Sequence, residues 1–166
     1  MSDDLNLPPS SEPSSPTTNR WPGRFLLLAA VCIVGLYFYN TRTVPAAFPW
    51  HEDYEKALVA ASEKKQLVLL AFHAEWCGVC KQMDRDVFAR TDVAQILADW
   101  VPVRIDTDKH EPLARQYGIV SLPTFYVLSP QGKALLRFEG GLPADEFIKF
   151  LRAGEDAYRP NATQPN

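Results

Sequence analysis

The chain is short of cysteine, short of histidine and has no surplus of basic charge, and each shortage removes a class of function. Its 17 Lys and Arg against 20 Asp and Glu leave a net charge of −3, with no basic cluster. A nucleic-acid binder needs a positive face to displace counterions from phosphates, so that class is excluded. The three cysteines, Cys32, Cys77 and Cys80, are too few to staple a small secreted framework. Tetrahedral zinc would need a second cysteine pair or well-spaced histidines, and His51, His73 and His110 follow no ligand rhythm. Covalent haem attachment needs histidine directly after the second cysteine, where Lys81 stands. At 166 residues and 46% hydrophobic, the composition suits one compact domain with extensions.

Residues 1–20 are rich in serine and proline with no apolar periodicity, so they read as a disordered tail. One apolar run follows, FLLLAAVCIVGLYFY from Phe25 to Tyr39. At about 15 residues it covers about 22 Å as helix, short of a hydrocarbon core of about 30 Å. Trp21, Tyr37, Tyr39 and Trp50 as interface residues, with Arg24 snorkelling, extend it to a workable span over 21–41. Three readings of the run stand: a membrane anchor, a signal peptide cleaved after VPA (Val44 to Ala46), and a buried helix. The polar leader and aromatic ends favour the anchor. Arg20 and Arg24 before the run, against Arg42 after it, place the following domain outside the cytoplasm. Cys32 reads as a small apolar residue of that helix, with no lipid-attachment pattern because bulky Val31 precedes it.

Residues 42–50 read as a linker, 51–154 as the folded domain, and 155–166 as a loose tail with a chance NAT sequon at Asn161. Within the domain, periodicity predicts a helix over 51–66 with Tyr54, Leu58 and Ala61 on one face, then a strand LVLLAF apolar on both sides. A helix from Cys77 turns Met83, Val87 and Phe88 inward. A second runs from Val93 to Asp99, capped by Asp92 or Thr91. A strand VPVRID, a short helix over 111–118, a hairpin TFYVLS–PQGK–ALLRFEG and a closing helix over 142–152 complete the order. Phe147, Ile148 and Leu151 face inward on that last helix. The fold class is α/β, a mixed central sheet between helices.

The stretch CGVC opens a helix directly after a buried strand, and that context makes it informative. A spacing of three puts both sulfurs on one helical face. Cys77, at the helix start, meets unpaired N–H groups that favour a thiolate, which makes it the exposed nucleophile. Cys80, one turn in, is the buried resolving thiol. The bland alternatives are a structural disulfide or two ordinary small residues. A structural bridge gains most by closing a long loop, which this one does not.

Together, WCGVCK and SLPTF (Ser121 to Phe125) resemble the thioredoxin superfamily over roughly 54–152. The resemblance implies that Pro123 is cis and faces the dithiol, and that the backbone of Leu122 pairs with an extended substrate segment. Trp76, Gly78, Val79 and Thr124 join Leu122 as expected substrate contacts. Within the superfamily, AEWCGVCKQMDRDVF and GIVSLPTFYVLSPQGK are similar to the C-terminal periplasmic domain of DsbD-type disulfide reductases. That enzyme's electron-transfer domain is absent from this sequence, so a separate membrane donor would have to reduce the dithiol. Thioredoxins usually keep a buried aspartate on the central strand where this chain has Ala71. Asp84, seven after Cys77, matches an acidic residue of the reductase domain and is the candidate to assist exchange; its alternative is a solvated charge. His73 shares strand parity with Ala71 and reads as a packed, neutral imidazole. Glu75 and Lys81 flank the pair as solvated charges.

The expected function is a membrane-anchored thiol-disulfide oxidoreductase that reduces disulfides of exported proteins. It would be a monomer on the periplasmic side and need no cofactor beyond the Cys77–Cys80 pair. Its expected partners are protein thiols and disulfides, the separate donor, and the membrane through the N-terminal helix. An oxidase or isomerase, a non-catalytic interaction module and a metal carrier are the alternatives.

Overall fold

The computed structural model describes residues 22–41 and 46–159, with side chains from residue 25 to 37 in the first of these segments. The chain divides into two units, Met1–Asn40 and Thr41–Asn166. The first holds helix α1 (Pro22–Thr41) up to Asn40, and its described side chains from Phe25 to Tyr37 are all exposed. Among the described residues, no helix is long and apolar enough to cross a membrane. The tail over 1–20, Trp21, Val44 and the sequon at Asn161 lie outside the described residues.

The second unit is built on a four-stranded mixed sheet of order β2-β1-β3-β4. Strand β1 (Val68–His73) runs parallel to β2 (Val101–Asp106) and antiparallel to β3 (Thr124–Leu128), which pairs antiparallel with β4 (Ala134–Glu139). Flanked on both sides, β1 is the central strand and is apolar on both faces. Helices α2 (Tyr54–Lys64), α3 (Gly78–Met83), α4 (Thr91–Leu97), α5 (Glu111–Gln116) and α6 (Ala144–Tyr158) flank the sheet.

Period-two alternation divides the core into two faces. One gathers Val68, Leu70 and Phe72 with Val101, Val103 and Ile105 under α2 and α5. The other gathers Leu69, Ala71, Phe125 and Val127 with Met83, Phe88 and Phe147 under α3, α4 and α6. Phe72, Phe125 and Phe147 are fully buried, each contributing about 1.5–3 kcal/mol by removal from water.

Several boundaries differ from expectation for local reasons. His51 is not helical: it bridges to Val103 in the sheet, and Asp53 caps α2 by accepting from the Lys56 amide at 3.1 Å. The cap of α4 is Arg90, neither Asp92 nor Thr91. After α3 the chain continues as a π-helical turn, Asp84–Phe88, a widening that periodicity alone does not signal. The linker expectation over 42–50 is corrected at its end. Phe48 is buried, and Trp50 stacks edge-on against Phe48 and Phe88 at 4.9 and 5.2 Å, so this tryptophan belongs to the core. Helix α6 runs to Tyr158, so the segment read as a tail from 155 begins as helix.

Candidate active site

Strand β1 ends at His73, and the chain turns through Ala74, Glu75 and Trp76 before α3 begins. Cys77 is the N-cap of α3: its backbone is extended, and its sulfur accepts the Cys80 amide N–H at 3.1 Å. An N–H aimed at this sulfur is the arrangement that stabilises a thiolate once the bond is reduced. Here Cys77 and Cys80 are joined as a disulfide, with Cα atoms 5.3 Å apart.

The two sulfurs pack with Ala74 and under Leu122 in a small apolar cluster. In this oxidised state Cys77 is 5% exposed and Cys80 3%, so the expectation of an exposed first cysteine is corrected. What a partner meets first is the rim. Trp76 is 69% exposed and Val79 45%, with Gly78 exposed between the cysteines. The Trp76 indole N–H donates to Asp108 at 2.9 Å, which fixes the ring beside the pair.

The Leu122–Pro123 peptide bond is cis. Pro123 is buried, and its carbonyl accepts the Gly140 amide at 2.8 Å. Thr124 cannot be the expected substrate contact through its side chain. It is fully buried, and its hydroxyl donates to the Ser121 carbonyl at 2.7 Å. Leu122, half-buried against the dithiol, and the exposed Ser121 form the outward edge instead.

Asp84 also departs from expectation. Neither a solvated charge nor a free carboxylate, it is 5% exposed and held fork to fork by Arg104 at 2.7 and 3.0 Å. Arg104 is the residue that the sequence reading missed. In register it stands beside Ala71, the position of the absent aspartate, and its guanidinium also lies 5.9 Å from the Trp50 ring centre. The available signal was an arginine between the apolar Val103 and Ile105 of a strand, sharing Ala71's sheet face.

Two spaces meet at this point. A void of about 10 Å³ beneath the dithiol is lined by Cys80, Ala71, His73, Arg104, Pro123 and neighbouring apolar side chains. An open cleft of about 620 Å³ is lined by Asp84, Asp106, Lys81 and Trp50, and again by His73 and Arg104. Burial first, and the Arg104 guanidinium second, hold the His73 imidazole below its ordinary value, so it is neutral at neutral pH. Burial pushes the Asp106 carboxyl up, but the Lys109 ammonium and the Asp108 amide outweigh it and leave it low. Glu75 pairs with Lys109 at 3.0 Å on the surface, and Lys109 reaches Asp106 at 3.1 Å. Among the described residues, no group of three or more His, Cys, Asp or Glu could hold a metal ion.

The family model described as a thioredoxin-like domain matches residues 54–155. Thioredoxin Y, chloroplastic, of Oryza sativa subsp. japonica is 42% identical over 97 residues, covering 58% of this chain and 54% of that protein. The chain thus spans about half the length of the curated plant relatives it matches first. Among solved structures, a thioredoxin from Thermus thermophilus superposes with a TM-score of 0.57 at 28% identity, covering 72% of this chain and 99% of that one. The oxidised C-terminal domain of DsbD from Neisseria meningitidis gives 0.55 at 24% identity, covering 64% and 99%, a likeness in fold alone.

Proposed function

The chain belongs to the thioredoxin-like family, and from that premise we propose that it is a thiol-disulfide oxidoreductase acting on protein disulfides through Cys77 and Cys80. The observation that carries this reading is the disulfide at the start of α3, with the Cys80 amide directed at the Cys77 sulfur. In the reducing direction, the Cys77 thiolate attacks a substrate disulfide and forms a mixed disulfide. Cys80 then attacks Cys77, closing the intramolecular bond and releasing the substrate as a dithiol. Trp76, Gly78, Val79 and the Leu122 backbone receive the substrate segment around its cysteine. Pro123 shapes that edge from below.

The reducing direction is supported by the likeness of the motif run to DsbD-type reductase domains. A separate membrane partner would supply the electrons, which travel on the cysteine pair itself. Membrane tethering through α1 is supported by the exposed apolar side chains from Phe25 to Tyr37, and the periplasmic side rests on Arg20 and Arg24 before the run against Arg42 after it. This described stretch covers about 20 Å as helix, so the span draws on its flanks. Carbonate extraction of membranes tests the tether: the chain stays in the pellet, and release into the wash would refute it.

Equilibration with glutathione buffers tests the direction. A reductase equilibrates near the thioredoxin value of about −270 mV, whereas a value at or above about −180 mV would assign oxidase or isomerase chemistry instead.

A further inference from the structure

We propose that His73 is the proton relay of the resolving thiol, taking the proton from Cys80 as that sulfur attacks and passing it to the open cleft on its other side. This rests on the exchange reading above. A thiol enclosed by apolar groups holds its proton more tightly than a free one, so the resolving step needs a base nearby. Strand β1 offers none at Ala71.

Three polar side chains lie behind Cys80, and chemistry separates them. Arg104 has no acceptor. Both oxygens of Asp84 are engaged by Arg104, so protonating it would break two charge-assisted bonds. His73 alone combines a titratable base with the right position: it lines the void shared with Cys80 and the cleft open to solvent. The void they share is only about 10 Å³, which sets the two side chains close together. Among the described residues, no side-chain hydrogen bond engages either ring nitrogen, while Thr107 bonds the His73 carbonyl.

The charges facing the imidazole set its readiness. From β2 come Arg104 and Asp106, from α3 and the π-turn Lys81 and Asp84. The surrounding loops bring Lys109, Glu75, His110 and Glu52 to the cleft. Burial and the cations outweigh the carboxylates, leaving the ring neutral and able to accept.

The Cys80 S–H proton moves to a ring nitrogen of His73, and the freed sulfur electron pair forms the Cys80–Cys77 bond. The Cys77–substrate bond breaks, and its electron pair leaves on the substrate thiolate. His73 then gives its proton to water in the cleft. The enzyme dithiol is oxidised by two electrons, and the substrate disulfide is reduced by the same two.

The test uses the full chain carrying Cys32→Ser, so that the exposed thiol of α1 stays silent. Reduced protein is mixed with dithiobis(nitrobenzoate) in a stopped-flow instrument. Attack by Cys77 releases one thionitrobenzoate, and attack by Cys80 releases the second. With His73 as base, the second phase is nearly level between about pH 6.5 and 8, where imidazole is neutral and the thiol still protonated. In His73→Gln the ratio of second- to first-phase rates falls about 10²-fold at neutral pH, and the second phase climbs about tenfold per pH unit. An unchanged ratio and profile in His73→Gln overturns the proposal. If that variant does not fold, the parent profile decides: a second phase climbing tenfold per unit from pH 6.5 overturns it equally. Absence of any second release from the parent overturns the exchange reading itself, and this one with it.

Discussion

The two faces of the sheet come from the same strands and differ in what they carry at one end. Under α2 and α5, Val68, Leu70, Phe72, Val101, Val103 and Ile105 are all at or below 2% exposed, and the face is dry along its length. Its tyrosines close the edge, with the Tyr54 and Tyr117 hydroxyls 2.6 Å apart and the Tyr126 hydroxyl donating to the Tyr117 carbonyl. Under α3 the other face starts in the same manner with Leu69, Val127 and Phe125. Toward the ends of β1 and β2 it changes to Arg104, Asp106 and His73, joined by Asp84 from the π-turn. The polar groups collect beneath the dithiol. One face therefore holds the fold together, while the other gives up some of that cohesion to surround two sulfurs with ionisable groups.

The largest effect should come from removing one member of the ion pair. Arg104→Leu strands a buried carboxylate at Asp84 and is expected to cost about 3–5 kcal/mol in urea unfolding. Replacing both, Asp84→Leu with Arg104→Leu, should recover most of that loss, because no charge is then left buried alone. A cost equal to the sum of the two single variants' costs would mean that the pair is not coupled.

On the dry face, Leu70→Ala is expected to cost about 3 kcal/mol through lost burial and the cavity left behind. The pH dependence of thiol exchange should not move, since Leu70 lies on the face opposite the ionisable groups gathered near the dithiol. A smaller effect, about 1 kcal/mol, is expected for Tyr54→Phe, which deletes one partner of the hydroxyl pair. The smallest is a stability difference with pH. His73 titrates lower folded than its ordinary 6.5, so the unfolded chain binds more protons in the window below that value. Stability should therefore fall as pH drops below about 6.5 and flatten once the folded imidazole is also protonated. His73→Gln should remove this slope while leaving the carboxylate-driven losses at lower pH.

Much of this arrangement can be read from residue order. LVLLAF signals a strand buried on both sides, CGVC after it signals a dithiol at a helix start, and SLPTF, by resemblance, carries the cis bond found at Pro123. Sequence distance hides the remainder. Asp84 and Arg104 are 20 residues apart and meet only because β2 lies parallel to β1 with Arg104 beside Ala71. The same crossing turns Asp84 from a surface charge into a buried one. Burial of Cys77, clustered with Ala74 and Cys80 against Leu122, is not visible in spacing. The packing of Phe48 and Trp50 was missed because two aromatics after a proline-rich stretch resemble a linker until Phe88 comes to meet them.

The most direct test is to replace the second sulfur and look for trapped partners. With Cys80→Ser, mixed disulfides should accumulate through Cys77, be released by dithiothreitol, and disappear when Cys77→Ser is added. A Cys80→Ser chain that captures no disulfide-bearing protein, while Cys77 stays open to alkylation, would contradict the assignment of this pair to thiol-disulfide exchange.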